Sequence, residues 1–372
     1  MSRISSYFTL IVSSTIMRNK FRVIGVMSGT SLDGLDIAYC IFEKKAQKWA
    51  FKIQETICET YPKEFRQKLA EIEKSSALDF VKLDTEFGSF IGKKVKLFMD
   101  KNRLKVDFVS SHGQTIFHQP QNGFTSQIGN GAAIAAACGI TTICDFRRLD
   151  VALKGQGAPL VPIGDQYLFS EYEFCLNLGG FANVSFQNKG KRLAFDICPV
   201  NIVLNALSEQ LGKAYDRNGT FASRGHVDKN LLAKLNSLKF YKMPFPKSLG
   251  KEWVLDELFP ILHQSSISVH DKLATFCEHI AIQMGIIATF SGKKRGSKIL
   301  CSGGGVYNHY LMQRIQTYSK YQLLIPATEI IEFKEALLFA FLGVLRITEQ
   351  KNCLQSVTGA IEDNVGGCVY FR

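Results

Sequence analysis

Residues 21–42 read FRVIGVMSGTSLDGLDIAYCIF and combine two apolar runs with one polar turn. Residues 23–27 predict a buried strand, and residues 37–42 predict its partner. The turn between them, residues 28–36, holds two glycines, several hydroxyl side chains and two carboxylates. Such a turn can hold phosphate oxygens on its amides, and its carboxylates favour a divalent metal beside the phosphate. From the pattern alone, an ordinary hairpin loop is an equal alternative.

Length and composition indicate a globular protein with acidic or anionic partners. The 372 residues are enough for two lobes, and 46% hydrophobic with 21% charged residues is an ordinary globular mixture. The formal net charge of +12 favours anions, but the lysines are scattered and form no basic arm. We therefore expect an anionic small molecule and no nucleic acid.

Ten cysteines occur singly, without a C-x-x-C pair, and several lie in apolar runs. This pattern is typical of free thiols in a reducing compartment and predicts a cytoplasmic protein. The apolar residues 8–12 are too few to span a bilayer and lack a cleavage site, so residues 1–20 are expected to be a disordered or misannotated leader. A secretory segment is the less favoured alternative. No other stretch predicts a membrane helix.

Two predicted strands end in polar side chains, where α/β folds place ligand contacts. Residues 106–110 precede His112, and residues 140–144 precede a charged segment that contains Arg147 and Arg148. An arginine fork suits a planar carboxylate. The alternatives are a histidine that only caps its strand and an arginine in a surface ion-pair network.

The pattern of strand, glycine turn and strand recurs in the second half of the chain. Residues 174–178 lead into Gly179 and Gly180, and residues 184–186 return. This recurrence suggests a duplicated domain. Asp196 ends the next predicted strand, where a single acid suits a general base, although a turn or helix-start aspartate is the alternative.

Several motifs resemble those of the anhydro-N-acetylmuramic acid kinase family. MSGTSLDGLD at residues 27–36 is similar to its signature opening, and matches continue at residues 112–115, 246–252, 335–340 and 356–360. The resemblance covers about residues 22–372. The family segment Asp-Thr-Gly-Pro-Gly-Asn appears here as residues 196–201, DICPVN, which predicts a bulkier loop after Asp196.

This resemblance implies an α/β protein with the actin-like ATPase and sugar kinase (ribonuclease H-like) fold, with two lobes and a central cleft. Residues 21–150 would form the first lobe, to which about residues 355–372 would return, and residues 151–354 would form the second. It also implies ATP and Mg²⁺, a small sugar substrate and a possible homodimer.

The resemblance further implies roles for individual residues. Asp196 would be the catalytic base, and Asp33 would bind the metal. The sugar would be bound by Ser28, His112, Arg147 and Glu335. The nucleotide would be bound by Gly29, Thr30, Ser31, Leu32, Asp33, Gly34, Leu35, Asp36, Gly179, Gly180, Gly303, Gly304 and Gly305.

The implied reaction converts 1,6-anhydro-N-acetylmuramic acid, ATP and water into N-acetylmuramic acid 6-phosphate and ADP, a step of peptidoglycan recycling. Two alternatives remain at this point. One is a kinase of the same fold for an ordinary sugar hydroxyl, and the other is a non-catalytic sugar sensor on the same scaffold.

Overall fold

The computed structural model describes residues 18–29, 32, 34–289 and 297–372. Most of the expected leader therefore lies outside the described residues, as do Thr30, Ser31 and Asp33 of the predicted phosphate turn. The last residues of the expected leader are part of the fold, because the first strand begins at Lys20. Arg18 also forms an ion pair with Asp107, with Nη2 2.8 Å from Oδ1.

The secondary structure combines groups of consecutive strands with groups of helices. Within the described ranges the strands are β1 Lys20–Ser28, β2 Leu35–Lys45, β3 Lys48–Glu59, β4 Phe108–Ser111, β5 Gln114–Gln119, β6 Phe124–Ile128, β7 Thr142–Cys144, β8 Phe174–Leu178, β9 Phe181–Asn188, β10 Lys191–Pro199, β11 Lys298–Ser302, β12 Gln322–Leu324 and β13 Cys368–Tyr370. The α-helices in the same ranges are α1 Lys63–Glu71, α2 Ala77–Asn102, α3 Gly131–Cys138, α4 Arg148–Ala152, α5 Val161–Leu168, α6 Asn201–Glu209, α7 Lys229–Ser237, α8 Lys251–Trp253, α9 Phe259–Gln264, α10 Val269–Met284, α11 His309–Tyr318, α12 Thr328–Ile347 and α13 Gln355–Thr358. Among these helices, none has the length and apolar character that crossing a membrane requires.

The chain divides into two compact units. Unit 1 comprises Met1–Leu168 together with Phe333–Arg372, and unit 2 comprises Phe169–Glu332. These limits differ from the boundaries near residues 150 and 355 that the sequence suggested. The physical reason is that α5 packs inside unit 1 against the part of α12 that follows residue 332: a Cβ on Gly164 would lie 2.2 Å from the Leu338 side chain.

The two units repeat one strand order. The sheet of unit 1 runs β13-β7-β4-β1-β2-β3, and the sheet of unit 2 runs β10-β9-β8-β11-β12. In each, the first strand pairs antiparallel with the second and parallel with a later strand, as β1 does with β2 and β4 and β8 does with β9 and β11. The shared order confirms the expectation of a duplicated α/β domain.

The opening hairpin is longer than its apolar runs suggested. The ladder between β1 and β2 continues to the pair Ser28 and Leu35, so the turn is residues 29–34 instead of 28–36. Asp36 pairs with Met27 inside the ladder, and the Leu35 side chain is fully buried. Leu35 therefore offers a ligand only its backbone.

Helix α12 lies against β1 and β4 at two glycines. A Cβ on Gly25 would be 1.9 Å from the Ala336 carbonyl oxygen, and a Cβ on Gly343 would be 2.6 Å from Ser110 Oγ. Ser110 Oγ donates a hydrogen bond to the Phe339 carbonyl at 2.5 Å. The helix begins at Thr328, earlier than the sequence suggested, and its backbone kinks at Phe333. This close packing determines where Glu335 and Phe339 lie.

We expect Gly25→Ala to lower the free energy of unfolding by about 1–3 kcal/mol, because its methyl group meets helix backbone that has to move. Gly285→Ala is the matched control, since its Cβ would make only an ordinary contact of 3.9 Å with Tyr318. Thermal unfolding followed by calorimetry measures both variants. Equal melting temperatures for the two would show that the contact at Gly25 does not constrain α12.

Candidate functional site

His112 and Arg147 form the centre of a polar cluster in unit 1. His112 follows β4, Arg147 directly precedes α4, and Arg147 Nε donates to His112 Nε2 at 3.0 Å. His112 Nδ1 lies 2.9 Å from the Gly113 carbonyl oxygen, which can only accept. His112 therefore carries its proton on Nδ1 and is neutral. Burial, followed by the charge of Arg147, lowers the pKa of His112 well below its ordinary value.

The guanidinium of Arg147 is held by neutral groups. Besides the bond to His112, its Nη1 donates to the Gly157 carbonyl at 2.6 Å, and its central carbon lies 5.9 Å from the centroid of the Phe339 ring. Within the described part of the chain, Nη2 donates to no protein group. Burial lowers the pKa of Arg147 to about 10, so the side chain stays charged at neutral pH. A fixed cation with a free edge can bind an anionic or carbonyl oxygen.

Glu335 belongs to the same unit but does not contact Arg147. Its side chain is exposed, and no hydrogen bond or ion pair joins it to another described residue. Its pKa is raised, first by desolvation and then by the charge of Asp36, while the nearby charge of Arg147 opposes the rise. Both carboxylate oxygens are free to accept hydrogen bonds from a ligand.

The hydroxyl of Ser28 is occupied by protein groups. It lies 2.7 Å from the Tyr61 hydroxyl and donates to the side-chain carbonyl of Gln114. Ser28 is 1% exposed and Gln114 is 3% exposed, so the pair is buried beneath the surface. This geometry favours Ser28 as a support for Gln114 over a direct ligand contact. The sequence analysis did not select Gln114, although the motif at residues 112–115 contains it.

In unit 2, Asp196 occupies an irregular position in β10. The ladder between β9 and β10 shifts register between Asp196 and Cys198, which marks a β-bulge. The Asp196 amide donates to the Lys247 carbonyl at 3.0 Å, and Asp196 Oδ2 accepts from the Leu249 amide at 2.8 Å. No group in the described ranges donates to Oδ1. Desolvation raises the pKa of Asp196, and the Leu249 amide partly opposes this rise.

Lys247 fixes the segment that holds Asp196. Its side chain is 9% exposed, and Nζ donates to the Phe240 carbonyl at 2.8 Å. Nζ also stands 4.3 Å and 4.9 Å from the centroids of the Phe240 and Phe245 rings, which favour a cation over their faces. Sequence analysis did not select Lys247 or Leu249. The motif at residues 246–252 was the available signal.

The expected bulky loop after Asp196 is not a loop. Strand β10 continues to Pro199, and the side chains of Ile197, Cys198 and Val200 are 3%, 0% and 0% exposed. They belong to the core of unit 2, because the bulge turns them away from solvent. The larger residues therefore add packing beneath Asp196 and leave its carboxylate accessible.

The turn at Gly179 and Gly180 is joined to the start of α6. The Gly180 carbonyl accepts from the Val200 amide at 2.8 Å and from the Ile202 amide at 3.3 Å, and the Gly179 carbonyl accepts from the Asn201 amide at 3.2 Å. Among the described residues, the Gly180 amide has no acceptor. A Cβ on Gly180 would meet nothing within 4 Å. An unpaired amide in an open turn can donate to an anionic oxygen.

The three glycines at 303–305 have different surroundings. Gly303 has φ +82°, and a Cβ there would lie 2.5 Å from Asn177 Oδ1, while a Cβ on Gly305 would lie 2.8 Å from the Leu178 Cβ. Gly304 is open and lines a cavity of about 470 Å³ inside unit 2. Other lining residues of this cavity are Asn201, Leu204, Asn205, Tyr215, Asp216, Arg217, Asn218, Tyr307 and Asn308.

The first glycine turn is described only in part. The Leu32 amide donates to the Gly29 carbonyl at 3.1 Å, Leu32 has φ +55°, and Gly34 packs on Glu59. Thr30, Ser31 and Asp33 lie outside the described residues, so the expected metal ligand is not placed. The described residues contain no group of three or more histidine, cysteine or acidic side chains arranged for a metal ion.

A strand order that occurs twice, with a glycine turn after the first strand of each unit, defines an α/β protein of the actin-like ATPase and sugar-kinase class. The family model described as anhydro-N-acetylmuramic acid kinase matches residues 21–372. A relative of that name from Coxiella burnetii is 35% identical and is matched over 95% of this chain and 98% of its own length. Relatives of the same name from Sulfurimonas denitrificans and a Picosynechococcus species are 33% and 32% identical, over 93% and 91% of this chain and 98% and 96% of their own. The chain belongs to the anhydro-N-acetylmuramic acid kinase family.

We expect Gly303→Ala to destabilise unit 2 by at least about 1 kcal/mol, because an L-residue at positive φ is strained and its methyl group meets Asn177. Gly304→Ala is the control, since the nearest atom to its Cβ is Asn201 Nδ2 at 3.8 Å. Thermal unfolding of both variants measures the difference. A melting temperature for Gly303→Ala equal to that of Gly304→Ala would contradict the assignment.

Proposed function

We propose that this chain uses ATP to phosphorylate O6 of anhydro-N-acetylmuramic acid while water opens the 1,6-anhydro ring, giving N-acetylmuramic acid 6-phosphate and ADP. Family membership supports the substrate and the reaction class. The observation that carries the ring opening is the carboxylate of Asp196, which has one oxygen held by the Leu249 amide and the other unbonded.

In this proposal Asp196 is the general base. Leu249 orients the carboxylate through Oδ2, and Oδ1 takes a proton from the attacking water. The raised pKa brings the basicity of the carboxylate closer to neutral pH, which favours proton transfer. The water oxygen forms a bond to the anomeric carbon, and the bond from that carbon to O6 breaks. O6 then attacks the γ-phosphorus, whose bond to the ADP oxygen breaks.

This coupling makes a second acid unnecessary. Glycosidases that cleave an acetal usually protonate the leaving oxygen with another carboxylic acid. Here the phosphoryl group takes the place of the proton on O6, so one base is enough. The groups around Asp196 are consistent with a single base. The Leu249 amide donates to its carboxylate, and the buried Lys247 side chain donates to the Phe240 carbonyl.

The polar cluster of unit 1 is proposed to bind the sugar. Arg147 would direct its free Nη2 edge at an oxygen of the lactyl carboxylate, and Glu335 would accept from a sugar hydroxyl. His112 is neutral and would act mainly by fixing Arg147, because both of its ring nitrogens already have partners. Ser28 would contribute through Gln114.

ATP is proposed to bind on the glycine turns. The cavity beside Gly304 is large enough for an adenosine group, and its rim carries Tyr215 and Tyr307, which are 60% and 41% exposed and offer aromatic faces. The unpaired Gly180 amide and the turn that begins at Gly29 would meet the phosphates. Mg²⁺ on the phosphates would neutralise their charge, and Asp33 is the proposed ligand, since magnesium with nucleotides needs only one or two protein carboxylates.

The reaction is proposed to run in the cytoplasm, which is supported by ten cysteines that are all free. A homodimer stays a prediction of the resemblance. A kinase for an ordinary sugar hydroxyl and a non-catalytic sensor are not favoured, because the relatives reported above are named as kinases of anhydro-N-acetylmuramic acid.

Incubation with ATP and anhydro-N-acetylmuramic acid in ¹⁸O-labelled water tests the reaction. We expect ADP, a sugar phosphate of the hydrated mass and one labelled oxygen at the anomeric carbon, identified by mass spectrometry. A free hexose in place of the substrate is the control and should give no phosphorylated product. Product that keeps the anhydro ring, or turnover of the hexose alone, would refute the proposal.

Asp196→Asn should lower turnover by roughly 100-fold or more, because a positioned base contributes about that factor. Binding of ATP, measured by calorimetry, should persist. In the wild type, kcat/KM should fall as pH is lowered through the pKa of Asp196, which lies above its ordinary value of 3.8, since only the carboxylate accepts the proton.

The activity measurement needs a control variant at another aspartate. Asp216→Asn is not suitable for this purpose, because Asp216 holds the amides of Phe221 and Ala222. Asp256→Asn on the exposed surface serves instead. Full activity of Asp196→Asn would remove Asp196 as the base.

A further inference from the structure

A buried carboxylate in unit 1 has no role in the reaction described above. Asp150 lies in α4 and is 0% exposed. Its Oδ1 accepts from Thr358 Oγ1 at 2.8 Å, from Asn364 Nδ2 at 2.9 Å and from Cys353 Sγ at 3.0 Å. A buried carboxylate is costly unless several donors compensate its charge. Asp150 therefore ties the C-terminal segment of the chain to α4.

The second oxygen of Asp150 points to the site. Asp150 Oδ2 accepts from the Gly157 amide at 2.8 Å, and the carbonyl of the same glycine accepts from Arg147 Nη1 at 2.6 Å. Gly157 therefore connects the buried carboxylate to the guanidinium through its own backbone. Within the described residues, only the Gly157 carbonyl and His112 accept hydrogen bonds from the Arg147 guanidinium.

The segment that carries Gly157 has little room to adopt another conformation. Gly157 has φ +65°, and a Cβ there would be 2.7 Å from Val151 Cγ2. A Cβ on Gly155 would be 2.1 Å from Asp150 Oδ2. The Gln156 amide donates to the Thr358 carbonyl at 2.8 Å, so this segment is also bonded to α13. The Gly157 carbonyl thus occupies one place only while Asp150 is bonded.

We propose that Asp150 is a positioning residue for Arg147: by holding the Gly157 amide, it places the Gly157 carbonyl that fixes the guanidinium. The inference rests on the proposed function only for its consequence, which is sugar affinity. The hydrogen-bond connection itself exists in the protein without substrate. Residues 353–364 also contribute to this hydrogen-bond connection, because they supply the other donors to Asp150.

Asp150→Asn removes this connection selectively. The amide oxygen can keep the three donors that Oδ1 now accepts, but its NH₂ group then faces the Gly157 amide, and two donors cannot bond. Asp216→Asn is the matched control for exchange. Asp216 is 6% exposed in unit 2, and its two oxygens accept from the Phe221 and Ala222 amides at 2.8 Å and 2.9 Å, so the same substitution breaks one amide bond that involves neither Arg147 nor Gly157.

The first test needs no substrate. In ¹⁵N-labelled protein, the Arg147 Nη1–H resonance, which belongs to the group bonded to the Gly157 carbonyl, is assigned by its loss in Arg147→Lys, and its hydrogen exchange is measured. We expect exchange roughly tenfold faster in Asp150→Asn than in the wild type, the factor for losing one hydrogen bond of ordinary strength. Asp216→Asn should exchange as the wild type does. An unchanged rate in Asp150→Asn, or an equal increase in Asp216→Asn, would overturn the proposal.

The second test measures the consequence for binding. Asp150→Asn should raise the KM for anhydro-N-acetylmuramic acid roughly tenfold and leave the KM for ATP unchanged. In an Arg147→Lys background the same substitution should have no further effect, because residues that act through one another are not additive. Equal increases in both KM values, or additive effects, would contradict positioning through Arg147.

The role of Asp150 can still be tested if the first variant does not fold or if the wild type shows no turnover. If Asp150→Asn does not fold, Asp150→Ser replaces it, since its shorter side chain cannot reach the Gly157 amide and places no second donor against it. Faster Arg147 exchange in Asp150→Ser supports the proposal, and an unchanged rate overturns it. If the wild type does not turn over the anhydro sugar, the proposed function fails, while the exchange experiment still decides the role of Asp150.

Discussion

The partial burial of one guanidinium constrains the architecture around the polar cluster of unit 1. Taking a cation even partly out of water costs free energy unless hydrogen bonds compensate, so Arg147 requires acceptors in fixed places. His112 Nε2 and the Gly157 carbonyl are those acceptors, and both are neutral. A carboxylate in direct contact would have neutralised the charge. With neutral acceptors, the positive charge stays available for an oxygen of a ligand.

The same constraint explains why several distant segments meet there. The proton of His112 stays on Nδ1 because the Gly113 carbonyl accepts it, and this leaves Nε2 free to accept from Arg147. Phe339 lies 4.5 Å from the His112 ring and 5.9 Å from the guanidinium carbon, measured from its ring centroid. Phe339 reaches this place because α12 approaches β1 at Gly25, where a Cβ would lie 1.9 Å from the Ala336 carbonyl oxygen. A strand glycine thus contributes to the geometry of a site to which it does not belong.

Sequence reasoning could reach the elements but not the atoms that join them. Apolar runs predicted the hairpins, and polar residues after β4 and before α4 identified His112 and Arg147. The hydrogen-bond partners of the site side chains are frequently backbone groups, such as the Gly157 carbonyl or the Leu249 amide. Because every residue has backbone groups, these partners leave no signal in the composition or in the spacing of the sequence. The prediction of a bulky loop after Asp196 was wrong for a related reason. A β-bulge changes which side chains face the core, and alternation alone does not reveal it.

The two units use one strand order for different tasks. In unit 1 the polar side chains follow parallel strands, where the edge of a sheet offers space for a ligand. In unit 2, Asp196 sits on β10, which pairs antiparallel with β9 and would bury a regular inward-facing residue. The bulge resolves this conflict, because it interrupts the alternation and leaves one oxygen of the carboxylate unbonded while the core stays filled by Ile197 and Cys198. The bulge in one copy of the duplicated fold therefore leaves the carboxylate of the proposed base accessible there.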